Sequence, residues 1–170
     1  NPLLSNPDEV ERALTEQEIS VRKHPWLPGC YLVAGTGNLA RLELFASGKV
    51  YVQDASAKLA AIAAGVQPGM RVLDTCAAPG GKSFALAMEM KNEGSVTSCD
   101  IHAHKISLIE KGAARLGISI ITAREADASK FQEAFKDGFD VVVADVPCSG
   151  LGVIRKKPDI RYKDLAPTRS

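Results

Sequence analysis

Val72-Leu73-Asp74-Thr75-Cys76-Ala77-Ala78-Pro79-Gly80-Gly81-Lys82-Ser83 passes from an apolar run, through small turn-forming residues, into a helix-forming stretch. A buried strand hands the chain to a crossover helix in this way, because parallel neighbours cannot be joined by a hairpin. The same alternation continues outward. Apolar segments expected as strands at 71–75, 96–100, 118–123 and 139–144 alternate with expected helices over 82–91, 104–116 and 130–136. The pattern predicts an α/β, Rossmann-like fold: a parallel sheet with helices on both faces. Right-handed crossovers leave few topologies, and ligands of such sheets sit at the carboxyl ends of the strands.

Upstream, an Ala-rich helix is expected over 55–64, closed by Gly65 and a Pro68-Gly69 turn. Residues 1–53 have a different texture. Polar helix-like stretches precede Pro25-Trp26-Leu27-Pro28-Gly29 and short apolar runs at 31–34 and 42–45, punctuated by Gly35, Gly37, Asn38 and Gly48. They read as a small α+β flanking segment, with the main domain occupying 54–170.

The 21 basic and 20 acidic side chains nearly cancel, so any affinity for a polyanion has to come from a local patch. No apolar run approaches the roughly 20 residues that span a bilayer. Cys30, Cys76, Cys99 and Cys148 are scattered, without the paired spacing of a zinc site, and free thiols fit a reducing cytoplasm. Neither a metal nor a membrane partner is expected.

Small residues at Cys76, Ala77, Ala78, Pro79, Gly80, Gly81 and Lys82 let backbone N–H groups approach a ligand, and the helix N-terminus behind them favours negative charge. A phosphate-binding nucleotide loop requires GxxxxGK[ST]; Gly81-Lys82-Ser83 supplies its end, yet Cys76 stands where its first Gly belongs. A dinucleotide fingerprint requires GxGxxG, which is missing. The amino-acid end of S-adenosylmethionine (SAM), whose carboxylate needs backbone donors, stays open, as does a tight turn holding no ligand.

Three further residues follow expected strands. Asp100 can accept both hydroxyls of a ribose, or cap the next helix. Asp127 suits an adenine amine, or a cap for the helix expected near Lys130. Lys105 lies one turn into its helix, where a solvated face is the ordinary use.

Asp145-Val146-Pro147-Cys148-Ser149-Gly150-Leu151-Gly152 follows the last expected strand as a rigid loop, since Pro147 cannot continue a ladder. It sets a carboxylate beside a thiol. Methylating cytosine C5 needs such a pair, because C5 becomes nucleophilic only after a thiolate adds at C6, and an acid can hold the N3/N4 edge. The plain alternative for Cys148 is a small buried residue.

Residues 74–82 and 145–152 together resemble the two most diagnostic motifs of the RNA cytosine-C5 methyltransferases, most closely the bacterial small-subunit rRNA enzymes of the Sun/Fmu (RsmB) type. The likeness extends from Val52-Gln53-Asp54-Ala55-Ser56 to Lys157-Pro158-Asp159-Ile160-Arg161 and covers about two-thirds of the chain. It implies a class I SAM-dependent methyltransferase fold, incomplete at the C-terminus, with 54–170 as the SAM-binding part. It implies that residues 76–82 hold the methionine end of SAM and that Asp100 binds the ribose. Lys105 would contribute to the same cofactor site, Asp127 would lie at the adenine, and Asp145 would sit between cofactor and cytosine. Cys148 would assist elimination from the methylated base. The family's nucleophile is another cysteine, in a Thr-Cys-Ser motif about fifty residues further on. The main nucleophile is therefore expected beyond Ser170, and the chain alone is expected to be inactive.

Arg155, Lys156, Lys157, Arg161 and Lys163 follow the Cys148 loop and are expected to touch RNA phosphates, with the target base flipped into the cleft. The implied partner is 16S rRNA or the pre-ribosomal small subunit, met by a monomeric cytoplasmic protein. Two other readings stand beside this one. A DNA cytosine-C5 methyltransferase would use Cys148 itself as nucleophile, and a ribosome assembly factor would bind SAM and RNA without turnover.

Overall fold

In the computed structural model, which describes residues 1–148, 150, 152, 154 and 157–162, the chain begins with helix α1 (Pro7–Glu16). Asn6 caps it by accepting the Glu9 N–H, and Pro7 occupies the first turn, where a missing N–H costs nothing. An antiparallel hairpin follows, β1 (Ser20–Lys23) with β2 (Tyr31–Ala34), then the short helix α2 (Glu43–Ala46). Val10, Leu14, Ile19, Leu42 and Leu44 form a small core among these elements.

Helix α3 (Ala55–Ala63), capped by Asp54, leads into the parallel sheet. Its strands are β3 (Arg71–Asp74), β4 (Ser95–Asp100), β5 (Ile121–Glu125) and β6 (Val141–Val143), hydrogen-bonded in the order β5-β4-β3-β6. Chain order thus runs outward one way from β3, then jumps back to its other side. The reversal point lies between β3 and β6, where ligands of open α/β sheets bind.

Helices α4 (Gly81–Glu89) and α5 (Ala103–Arg115) pack with Val72 and Val96 in the main core. Six consecutive α4 residues, Ser83 to Met88, are buried, because α3 covers the side of α4 turned away from the sheet. A helix enclosed all round is apolar all round. It therefore holds its N-terminus rigidly against β3.

Two expected elements differ from the structure. The segment expected as a helix over 130–136 holds a single 3₁₀ turn, Glu133–Phe135, so one sheet face carries α4 and α5 while the other is covered here by Phe135 and Phe139 against Leu73, Cys99 and Ala126. The strand expected at 118–123 begins at Ile121. Ile118 belongs to the end of α5, where its N–H bonds to Ala113 O and the Gly117 N–H to Ala114 O, with Gly117 at φ +68°. Ser119 is then held by Asn92 before the ladder starts.

The N-terminal segment docks on the end of α5. Arg115 lies over the Phe45 ring and donates to the carbonyls of Phe45 (2.5 Å) and Val50 (3.3 Å). The Asn1 amide donates to the carbonyls of Gly48 and Leu116. No helix among the described residues is long and apolar enough to cross a membrane.

Candidate functional site

Each chemistry-bearing loop leaves the carboxyl end of a strand. Asp74 ends β3 and is fully buried; its Oδ2 accepts the Ser83 hydroxyl at 2.7 Å, and the Ser98 hydroxyl donates to Ser83 at 2.8 Å. One hydrogen-bonded chain therefore joins β3, the first turn of α4 and β4 beneath the loop. Burial pushes the Asp74 carboxyl up, opposed by the Ser83 bond, then by the Cys76 N–H and the Lys82 charge. The Cys76 N–H falls outside hydrogen-bonding geometry, leaving Oδ1 without a partner.

Beyond Asp74 the ladder extends by one residue. The Thr75 N–H and hydroxyl both reach Val143 O, at 3.0 and 3.3 Å, and there the loops after β3 and β6 part. Within 76–82, the Ala77 N–H bonds to Cys99 O at 2.6 Å and the Gly80 N–H to Ala77 O at 2.7 Å. Those two donors are spent inside the fold, and Pro79, behind a cis peptide, has none. The N–H groups of Gly81, Lys82 and Ser83, in the first turn of α4, bond to no described residue. They are the unsatisfied donors of a helix N-terminus and suit an anionic group.

The two loops meet through one ion pair: Lys82 Nζ reaches Asp145 Oδ2 at 2.5 Å. Lys82 is about three-quarters covered and Asp145 more than half exposed, so the carboxylate is open to solvent. Cys148, on the same loop, is exposed.

Asp100 is 7% exposed; its Oδ1 accepts the His102 N–H at 3.0 Å and lies 3.7 Å from Lys105 Nζ. His102, not Asp100, occupies the N-cap of α5, so capping does not account for this acid. Oδ2 takes no hydrogen bond from the described residues and remains able to accept one. Lys105 is thus drawn toward Asp100 rather than standing apart in solvent.

Asp127 is more occupied than the sequence suggests. It accepts the Ser129 hydroxyl and N–H at 2.7 and 3.0 Å and pairs with Lys130 at 3.2 Å. Those contacts, the Ser129 hydroxyl foremost, hold its carboxyl below the usual range. It caps its own turn, and no α-helix follows among the described residues. Beside it lies a cavity of about 210 Å³ bounded by Leu73, Thr75, Cys99, Ala126 and Phe131. Burial pushes the Cys99 thiol up to about 11, which marks it as a packing residue.

Of the basic cluster, Lys157 and Arg161 are exposed, with Arg161 Nε on Pro158 O. Arg155, Lys156 and Lys163 lie outside the described residues, as do Ser149 and Leu151. Ser170, beyond which the main nucleophile is expected, also lies outside them, so no described residue bears on that expectation. Two residues at the site went unassigned in the sequence. Asp74 is the buried hub of the loop, and its signal was an acid ending a strand nine residues before a serine. Gln53 donates to Gly81 O at 2.9 Å, and nothing in the local sequence announces that reach.

A family profile described as 16S rRNA methyltransferase RsmB/F matches residues 61–167. The chain is 50% identical over 127 residues to the probable ribosomal RNA small subunit methyltransferase B of Bacillus subtilis (strain 168), covering 74% of this chain and 28% of that relative. Among solved structures, the crystal structure of PH0851 superposes with a TM-score of 0.92 at 31% identity, over 98% of this chain and 38% of the other. The structure of NSun6 from Pyrococcus horikoshii with SFG gives 0.60 at 26% identity, over 66% and 29%. The chain therefore spans well under half the length of these relatives.

Proposed function

The chain belongs to the 16S rRNA methyltransferase RsmB/F family, and from that premise we propose that it forms the SAM-binding part, residues 54–170, of an enzyme methylating C5 of a cytosine in small-subunit rRNA. Residues 1–53 form its flanking segment. The observation that carries the reading is the meeting of the β3 and β6 loops at the sheet's reversal point, joined by Lys82 and Asp145.

The donor set fits the cofactor. The Gly81, Lys82 and Ser83 N–H groups face a carboxylate, with Cys76, Ala77, Ala78, Pro79 and Gly80 shaping the turn that brings them close. Asp100 Oδ2 accepts from a ribose hydroxyl, and Lys105 steadies that carboxylate from its other oxygen. Asp127 receives an adenine amine only if Lys130 yields its place. SAM supplies an electrophilic methyl on a sulfonium; the protein's task is to hold a cytosine edge against it.

Asp145 holds the N3/N4 edge of that cytosine, with Lys82 fixing the carboxylate's direction. Cys148, exposed on the same loop, is suited to help release the methylated base. The thiol that adds at C6 is assigned to another cysteine of the family's Thr-Cys-Ser motif, beyond Ser170, since the one Thr-Cys pair here, Thr75-Cys76, belongs to the cofactor loop. The exposure of Cys148 is also what the DNA cytosine-C5 reading, in which it is itself the nucleophile, requires. The reading carries with it a monomeric chain in the cytoplasm, where 16S rRNA or the pre-ribosomal small subunit would be met.

Lys157 and Arg161, both exposed, then contact RNA phosphates, and the same contact is proposed for Arg155 and Lys156 from their place in the sequence. Each lost phosphate contact flattens the dependence of log affinity on log salt by about 0.7 to 0.9. Lys157→Glu with Arg161→Glu should weaken binding of a small-subunit rRNA fragment and reduce that slope by about two such steps. An unchanged slope would return both residues to an ordinary solvated surface.

A further inference from the structure

Tyr51 and Gln53 precede α3, outside every loop that carries the chemistry, yet they reach the first residue of α4. The Tyr51 hydroxyl donates to Gln53 Oε1 at 3.0 Å, and Gln53 Nε2 donates to Gly81 O at 2.9 Å. Only one orientation of the amide satisfies the Gly81 carbonyl, because a flipped amide would set two oxygens against each other. Burial pushes the Tyr51 phenol well up, so its hydroxyl keeps its proton and remains a donor.

The carbonyl it holds is unusual in its surroundings. Gly80 sits at φ +111°, and Gly80 and Gly81 together give the backbone the widest choice of conformation in the loop. A planar peptide ties the Gly81 carbonyl to the Lys82 N–H, which points the opposite way, out of the helix N-terminus. Fixing the one aims the other. Gly81 meets no steric demand from the fold, since a Cβ there would find only Gln53 Nε2, at 3.9 Å. Gly81 is the first residue of α4, and Gln53 adds a hydrogen bond to its carbonyl from outside the helix.

We propose that Gln53, oriented by Tyr51, is a positioning residue that aims the Lys82 N–H and so sets the affinity of the α4 N-terminus for the carboxylate end of SAM. This rests on the cofactor reading above. It also gives the end of the N-terminal segment a part in the site.

The test is calorimetric titration of the intact chain with S-adenosylhomocysteine, alongside thermal melts without ligand. Gln53→Glu keeps the shape and replaces the donor by an acceptor; it should weaken binding about tenfold. Tyr51→Phe frees the amide to rotate and should weaken binding about threefold while leaving the unliganded melting temperature unchanged. Equal affinity in wild type and both variants would overturn the proposal, as would losses that merely track a falling melting temperature. Wild-type protein that folds but does not bind would overturn the cofactor reading itself, and the proposal with it.

Discussion

A Cβ on Gly80 would stand 2.3 Å from the Phe84 ring at a backbone angle side chains avoid, whereas one on Gly81 would touch nothing nearer than 3.9 Å. Two adjacent glycines thus have different reasons to be glycine. Gly80→Ala should destabilise the fold, because the Phe84 ring is packed into the core and cannot step aside. Gly81→Ala replaces a poor helix former by the best, a change worth about 1 kcal/mol in a helix interior and less at this first residue of α4. Its melting temperature should hold or rise while SAM affinity falls by an order of magnitude; unchanged affinity would mean that no ligand approaches this backbone. The sequence marks both glycines and cannot rank them, since the difference lies in Phe84 and Gln53, which arrive from elsewhere. Asp74 shows the same limit. Its place at a strand end is legible, but its bond to Ser83 and onward to Ser98 depends on how α4 seats over β3 and β4.

At the scale of elements, alternation of apolar runs was enough to read β3, β4, β6 and both long helices to within a few residues. It failed where local polar chemistry competes with regular structure. Asp127 ties Ser129 and Lys130 into a turn, Asp137 takes φ +52°, and the seven residues expected as a helix between them form one 3₁₀ turn. So short a segment cannot offset the cost of helix nucleation unaided. β6 is likewise short, pairing three residues with β3, and it is fastened at its start by a fork: Asp140 accepts the Arg71 N–H and both Nε and Nη2 of its guanidinium. Arg71 holds the Asp140 carboxyl below its ordinary 3.8. A lowered carboxyl contributes stability above that ordinary value and loses it as pH falls through the folded one. Asp140→Asn should therefore melt below wild type at neutral pH, with the gap closing as pH drops under about 3.8. A gap independent of pH would show that the fork contributes through shape, not charge.

For the molecule as a whole, the strand order β5-β4-β3-β6 explains why residues far apart in the chain converge. Asp74, Asp100, Asp127 and Asp145 each end or follow a different strand, and a parallel sheet brings all those ends to one side. The convergence was readable from pattern alone, because parallel strands between helices have no other arrangement of ends. The docking of residues 1–50 was not. It depends on Arg115 over the Phe45 ring and on Gly48, where any side chain would collide with the Arg115 carbonyl at 1.9 Å. No periodicity encodes contacts of that separation. This convergence is the proposed SAM site, and Asp100 offers the cleanest handle on it: the acid is nearly buried, does not cap α5, and keeps one oxygen for a ribose. Calorimetric titration of the folded chain with SAM should show one-to-one binding, weakened at least tenfold by Asp100→Ala; a folded chain that releases no heat, or a variant that binds as well as wild type, would contradict the account.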